Sequence, residues 1–112
     1  MDYISKNYAS DITLNDVADF INLTPNYFSS LFTKINGQGF ISYLTEKRIE
    51  RAMELLSSTE QSITDIAFET GFGSFSSFSR AFKARCGSSP KEYRKYSQAK
   101  ENERAKLDTI VI

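Results

Sequence analysis

Residues 62–86 read SITDIAFETGFGSFSSFSRAFKARC, and residues 13–36 read TLNDVADFINLTPNYFSSLFTKIN. The two stretches are copies of one pattern, and the offset between matching residues changes by one partway along it. At an offset of 49 positions, Asp16, Val17, Ala18, Asn22 and Leu23 recur as Asp65, Ile66, Ala67, Gly71 and Phe72. At an offset of 50, Phe28, Ser29, Phe32, Gly37 and Tyr43 recur as Phe78, Ser79, Phe82, Gly87 and Tyr93. One residue has therefore been added between the two blocks, where a turn between helices would tolerate it.

Each copy begins with a signal for a short helix that ends in a tight turn. Thr13–Asp16 and Ser62–Asp65 have the form of a capping box, with Asp in place of the usual Glu or Gln. Asn22 and Gly71 end these helices, because Asn and Gly most readily adopt the left-handed backbone conformation of a turn. The pattern predicts a duplicated helix–turn–helix, a motif used chiefly to place a helix in the DNA major groove.

The second helix of each pair begins at Thr24-Pro25 or at Gly73-Ser74, since Thr or Ser caps a helix and Pro suits its first position. Helical spacing then predicts a buried face made of Phe28, Leu31, Phe32 and Ile35 in the first copy and of Phe78, Ala81 and Phe82 in the second. The positions left outward form the candidate reading surface: Asn26, Ser29, Ser30 and Thr33, and then Phe75, Ser76, Ser79, Arg80 and Lys83.

The copies are joined by an amphipathic segment at about residues 40–57, which predicts one linker helix roughly 25 Å long. Further helices are predicted around residues 2–9 and 90–96. The predicted fold is therefore all-α, with about seven helices forming two helix–turn–helix units in a homeodomain-like arrangement, at about residues 13–35 and 62–86. The domain spans residues 1–96. Residues 97–112 are polar and are expected to form a helical extension or a frayed tail.

The net charge of zero conceals an uneven distribution along the chain. Residues 1–70 carry five basic and ten acidic side chains, whereas residues 71–95 carry six basic side chains against Glu92 alone. Such an asymmetry favours a basic face that meets a polyanion. A solvated basic surface on a dipolar protein would show the same asymmetry, so charge alone leaves both interpretations open.

Composition excludes several classes of site. The chain has no His and a single Cys, Cys86, so an internal disulfide and a Cys–His or Ser–His nucleophile pair are impossible, and no metal or other cofactor is predicted. Cys86 is interpreted as a packed small residue. No segment approaches the roughly 18 apolar residues of a membrane span, and Met1-Asp2-Tyr3 does not open a signal peptide. A cytoplasmic protein without membrane contact is expected.

More than a dozen spaced positions resemble the C-terminal signature of AraC/XylS-type bacterial transcription regulators. They are Arg51-Ala52, Leu55-Leu56, Ile63, Ile66-Ala67, Gly71-Phe72, Phe78, Arg80, Phe82-Lys83, Gly87, Pro90, Tyr93 and Arg94. The resemblance covers about residues 5–96. It implies a seven-helix domain whose third and sixth helices are recognition helices. Double-stranded promoter or operator DNA and RNA polymerase are the partners it implies, with a sensor or receiver domain N-terminal to the domain in a longer regulator, unless the chain is a rarer stand-alone member.

Carried over by position, the resemblance implies base-reading sites at Asn26, Ser29, Ser30, Ser76, Ser77, Ser79 and Arg80. Arg80 is the strongest of them, because a guanidinium can bond two acceptors of one guanine. Phe75 falls off the buried stripe and is a candidate for contact with a thymine methyl group. The candidates for phosphate contacts are Thr24, Thr33, Lys34, Ser74, Lys83 and Arg94.

A second class of function also fits the sequence. A helical protein-interaction domain could keep this fold and lose DNA affinity, and the serine-rich recognition surfaces and acidic first half favour that alternative, since serine discriminates poorly between bases. An enzyme is a distant third, because no acid–base pair, metal cluster or phosphate-binding glycine loop stands out.

Overall fold

The computed structural model describes residues 12–111, and its fold within them is all-α, as the sequence predicts. Six helices follow one another in this range: α1 Leu14–Phe20, α2 Pro25–Asn36, α3 Phe40–Ser58, α4 Ile63–Glu69, α5 Phe75–Cys86 and α6 Pro90–Val111. Helices α1 and α2 form the first helix–turn–helix unit, α4 and α5 form the second, and α3 links them. The leading helix predicted around residues 2–9 lies outside the described residues, so the third and sixth helices of the resemblance are α2 and α5.

Side-chain caps begin the helices of both units. The Asp16 N–H donates to Thr13 Oγ1 at 3.1 Å, and the Thr13 N–H donates to the Asp16 carboxylate at 3.0 Å, which completes the predicted capping box of α1. At α4 the described cap bond is the hydroxyl half of the box, from the Asp65 N–H to Ser62 Oγ at 3.1 Å. These bonds satisfy backbone donors that have no partner inside the helix.

The turn inside each unit has a left-handed residue at the predicted position. Asn22 has φ 59°, and it is the non-glycine residue with positive φ among the described residues; Gly71 has φ 98°. Immediately after each of them the chain bonds back to the preceding helix, from the Leu23 N–H to the Ala18 carbonyl at 2.9 Å and from the Phe72 N–H to the Ala67 carbonyl at 3.1 Å. Both alanines are fully buried, which lets the second helix of each unit cross close to the first.

The left-handed conformation at residue 22 predicts the response of the fold to substitution there. Asn22→Ala is expected to lower the free energy of unfolding by about 1 kcal/mol, because alanine tolerates positive φ less well than asparagine. Asn22→Gly should change it by less than about 0.5 kcal/mol, since relief of strain is offset by a more flexible unfolded chain. Denaturant unfolding of both variants and wild type measures the two differences. Equal stability of Asn22→Ala and wild type would contradict the prediction.

Two hydrophobic cores lie along α3, one for each unit. Phe40 and Leu44 belong to the first core, with Val17, Ala18, Phe28 and Phe32. Ile49, Ala52, Leu55 and Leu56 belong to the second, with Ile66, Ala67, Phe78 and Phe82. Cys86 packs against the second core, and burial raises the pKa of its thiol while the neighbouring Arg85 guanidinium opposes the rise. The linker helix therefore contributes side chains to the cores of both units.

The sequence repeat is reproduced in the packing of the aromatic rings. The Phe28 and Phe32 centroids lie 5.6 Å apart at 54°, and their counterparts Phe78 and Phe82 lie 5.7 Å apart at 50°. Tyr43 packs edge-on to Phe32 at 5.3 Å, as Tyr93 does to Phe82 at 5.5 Å. The two copies thus build the same core, and differences between them are concentrated on their surfaces.

Ile35 is a residue that the helical spacing places wrongly. The sequence predicts it on the buried face of α2, but 70% of it is exposed. Phe40, the first residue of α3, packs against Phe28 and Phe32 with centroid distances of 6.0 and 5.8 Å. This ring closes the first core before the last turn of α2, so the buried stripe ends at Phe32.

Helix α6 continues well beyond the residues 90–96 predicted for the final helix, to Val111. Its first two turns pack on the second unit through the buried Pro90 and half-buried Tyr93. From Gln98 to Ile110 every side chain is exposed. Within residues 12–111, no helix combines the length and the apolar character needed to cross a membrane.

Candidate nucleic-acid interface

The outward face of α5 forms a shallow groove that combines three kinds of chemistry. Phe75, Ser76, Ser79 and Arg80 line it, around a volume of about 450 Å³. Phe75 is 44% exposed, and its ring is held by Phe78 at a centroid distance of 6.5 Å. The groove therefore offers an apolar ring, small hydroxyls and a guanidinium side by side, which are the groups that contact thymine methyls and base-edge acceptors in the major groove.

The cations of this face make no ion pair within residues 12–111. Arg80 and Lys83 are both exposed, and among the described residues neither has a carboxylate within salt-bridge distance. Two ion pairs of the described part, Lys47 with Glu50 and Arg51 with Glu54, lie on α3 instead. Because a paired cation would first have to leave its partner, unpaired cations are the ones available to an anionic ligand.

Two of the predicted serines bond to each other at the start of α5. Ser74 Oγ accepts from the Ser77 N–H at 3.1 Å and donates to Ser77 Oγ at 3.0 Å. The hydroxyl of Ser74 has a single proton, so it cannot donate to a phosphate while this bond is kept. Ser77 keeps its own hydroxyl proton, which remains free to donate.

On α2 of the first unit the corresponding surface consists of small polar side chains. Asn26, Ser29, Ser30 and Thr33 are all exposed, as the sequence predicts, and Lys34 is exposed in the last turn. Thr24 caps this helix by accepting from the Tyr27 N–H at 3.3 Å, and its hydroxyl proton is free to donate. The polar side chains of both recognition helices therefore face solvent at equivalent places in the two units.

Arg94, predicted to contact a phosphate, has a different place in the structure. Its Nε donates to the Leu56 carbonyl at 3.1 Å, and a terminal nitrogen donates to the Thr59 carbonyl at 3.3 Å. The side chain is half-buried against the carboxyl end of α3, where carbonyl groups lack helical partners and a positive charge is favourable. Arg94 therefore ties α6 to the linker helix, and its predicted phosphate contact would have to use guanidinium N–H groups outside these two bonds.

Arg85 is a second structural arginine that the sequence does not reveal. It lies in the last turn of α5, and its guanidinium donates to the Ser42 carbonyl at 2.9 Å and to Ser42 Oγ at 3.2 Å. The contact joins residues 43 positions apart, so no local spacing could have predicted it. A weak signal existed in the repeat, because the position equivalent to Arg85 in the first copy is an isoleucine, Ile35.

Comparison with protein families agrees with this architecture. A family model described as "Helix-turn-helix domain" matches residues 17–96. The melibiose operon regulatory protein of Escherichia coli K12 is 41% identical over 96 residues, which cover 86% of this chain and 32% of that protein. An uncharacterized HTH-type transcriptional regulator of Staphylococcus aureus strain COL is 38% identical over 93 residues, which cover 83% of this chain and 12% of that regulator. The chain thus spans about a third or less of the length of these relatives.

Solved structures share the fold over most of the chain. The C-terminal domain of AraT, a response regulator from Geobacillus stearothermophilus, superposes with a TM-score of 0.82 at 43% identity, covering 85% of this chain and 79% of that domain. The DNA-binding domain of AdpA, a global transcriptional factor solved in complex with a target DNA, gives a TM-score of 0.85 and covers 88% of this chain and 89% of that one. At 22% identity the second likeness is one of fold alone.

Proposed function

The chain belongs to the AraC/XylS-type family of helix–turn–helix transcription regulators, and from that membership we propose that it binds double-stranded DNA with α2 and α5 in successive major grooves. The observation that carries the proposal is the groove on α5, where the unpaired Arg80 lies beside Phe75 and two serines on an exposed helix face. Other apolar side chains are exposed as well, so it is the place of the Phe75 ring beside Arg80, and not its exposure, that supports the proposal.

In this proposal the two recognition helices divide the readout unequally. Arg80 bonds the two acceptors of a guanine, and Phe75 contacts a neighbouring thymine methyl, while Ser76, Ser77 and Ser79 adjust to several bases. In the first unit Asn26 is the side chain best suited to a single base, since an amide can bond adenine at two positions. Ser29 and Ser30 add contacts that discriminate weakly, so most of the specificity comes from the second unit.

The residues proposed to contact phosphates lie on α2 and α5 or at their N-caps. Lys34 and Lys83 lie in the last turns of α2 and α5, and Thr24 and Thr33 present hydroxyls on the first unit. Ser74 caps α5 and so fixes the first turn of that helix. Its hydroxyl can donate to a phosphate only when its hydrogen bond to Ser77 Oγ is broken. Such contacts position the protein on the duplex and carry little sequence information.

We propose that the DNA-bound domain influences transcription through RNA polymerase, under the control of a sensor or receiver domain on its N-terminal side. The C-terminal place of the similar domain in the AraT response regulator supports this order.

Selection of bound duplexes from a random DNA library, followed by footprinting, tests the proposed function. One chain is expected to protect one face of the duplex over about 15 to 20 base pairs, because half-sites in successive major grooves lie about 10 base pairs, or roughly 34 Å, apart. Affinity should fall as salt rises, since the cations displace counterions from several phosphates.

Two outcomes would contradict this expectation in different ways. A footprint confined to a single groove segment would show that one unit docks and the other does not. Failure to bind any selected duplex at low salt would overturn DNA binding itself and favour the protein-interaction function. A duplex of scrambled sequence at the same salt is the control for binding by charge alone.

A further inference from the structure

The relative orientation of the two recognition helices depends on contacts across the linker. The first core ends on α3 at Leu44 and the second begins at Ile49, so the boundary between the units falls in the middle of one helix. Side chains that bridge this boundary therefore affect how far apart, and at what angle, α2 and α5 meet the DNA.

Arg85 bridges it from the second unit to the part of α3 that contributes to the first core. It begins on α5 and reaches Ser42, which lies between Phe40 and Leu44 of the first core. Ser42 Oγ in turn donates to the Gln38 side-chain oxygen at 2.9 Å, and the Gln38 amide nitrogen donates to the Glu46 carboxylate at 2.8 Å. The chain of bonds thus runs from a recognition helix to the turn that follows α2. We name Arg85, Ser42, Gln38 and Glu46 the brace.

The donors and acceptors of the brace are mutually consistent. The Ser42 hydroxyl gives its one proton to Gln38 and accepts from Arg85, and the Gln38 amide accepts on its oxygen and donates from its nitrogen. Bonds arranged head to tail in this way polarise one another in the same direction. Each member therefore supports the next, and removal of either end should loosen the whole.

The repeat provides an internal argument for a role between the units. Ile35, the equivalent of Arg85 in the first copy, is 70% exposed and no member of the first core, yet that unit folds with the same ring packing as the second. A charged side chain at this position is therefore unnecessary for folding a unit. Its contact with Ser42, on the part of α3 that contributes to the first core, is one that an isoleucine could not make because it has no donor.

We propose that Arg85 is a positioning residue that, through the brace, holds α2 and α5 at a fixed separation and so sets the spacing between half-sites that the protein accepts. This inference rests on the proposed function. One added base pair moves the second half-site by about 3.4 Å and rotates it by about 35°. A braced protein tolerates such a change poorly, and a protein without the brace bends to accommodate it.

The test uses the selected duplex and derivatives with one base pair added or removed between the two contacted segments. Wild type is expected to lose affinity about tenfold or more for either change. In Arg85→Ala that loss should shrink by about three- to tenfold, the range expected for a few polar hydrogen bonds. Gln38→Ala, which changes no charge, should shrink it in the same direction, whereas Lys91→Ala removes one exposed positive charge and leaves the spacing preference unchanged. Thermal unfolding establishes that each variant is folded.

Failure of the brace and failure of the proposed DNA binding would give different results. Uniform weakening of Arg85→Ala at every spacing would mean that the residue contacts a phosphate, and would overturn the brace. An unaltered spacing preference in both brace variants, or a wild type indifferent to spacing, would overturn it as well. If wild type binds no duplex, the proposed function fails first and the brace fails with it.

Discussion

Arg80→Ala is expected to weaken binding to the preferred DNA site by about 1–3 kcal/mol and to relax the preference at one base position. The guanidinium is exposed and without a carboxylate partner among the described residues, so no carboxylate of this part of the chain competes for its planar array of donors. A guanine presents two acceptors in the major groove that match this array. The measurement is the affinity of each protein for the preferred site and for its single-base variants at fixed salt.

Lys83→Ala is the matched control for loss of charge on the same helix. It should weaken all duplexes alike, because a contact to phosphate is nearly indifferent to sequence. Arg80→Lys keeps the charge and should recover part of the loss, since an ammonium lacks the planar fork. Equal losses on every duplex for Arg80→Ala would place this residue on a phosphate and move the specificity to Asn26 or to the deformability of the DNA.

Local rules were sufficient to predict the order of the helices and the turns between them. A capping hydroxyl such as Thr13 and a left-handed turn residue such as Asn22 act within a few positions of the chain. The exposed face of α5 was predicted in the same way, because residues that do not belong to the apolar stripe, such as Arg80, are expected to face solvent. Membership of the family, predicted from spaced positions between residues 51 and 94, is confirmed by the match over residues 17–96.

Contacts between distant parts of the chain could not be predicted in this way. Arg94 and Arg85 are both cations in a basic stretch, and by composition either could serve a phosphate. The structure distinguishes them by what lies within reach: two carbonyls at the end of the linker helix for Arg94, and Ser42 for Arg85. The prediction that Ile35 is buried was wrong for a related reason. Phe40 closes the first core from α3, and the spacing of apolar residues along α2 carries no information about a neighbouring helix.

These differences bear on how a duplicated unit acquires two roles. The copies share ring packing to within a few tenths of an ångström, so the cores leave little room for divergence. Divergence at surface positions has no such constraint. Ile35 against Arg85, and the Asn26 surface against the Arg80 groove, are two such differences, and in the proposed function they give the second copy the larger share of base discrimination.

Phe82→Ala is expected to lower the free energy of unfolding by about 3–5 kcal/mol, the usual cost of removing a buried ring and leaving a cavity. Phe82 is fully buried, with Phe78 at 5.7 Å and Tyr93 at 5.5 Å. A domain of this size is stabilised by about 5–15 kcal/mol in total, so the variant should be close to unfolding and its DNA binding should fall with it. Denaturant titration followed by circular dichroism measures the change.

Phe75→Ala is the matched control, because it makes the same substitution in the same helix. Its ring is 44% exposed and its centroid lies 6.5 Å from that of Phe78, so we expect a loss of about 1 kcal/mol or less. Its effect should appear in recognition instead: replacing one thymine of the site by uracil, which lacks the methyl group, should weaken wild type and leave Phe75→Ala unaffected. A stability loss as large as that of Phe82→Ala would show that the Phe75 ring belongs to the core. A uracil effect of equal size in both proteins would show that the ring does not contact the methyl, and Arg80 would then be left as the discriminating residue of the groove.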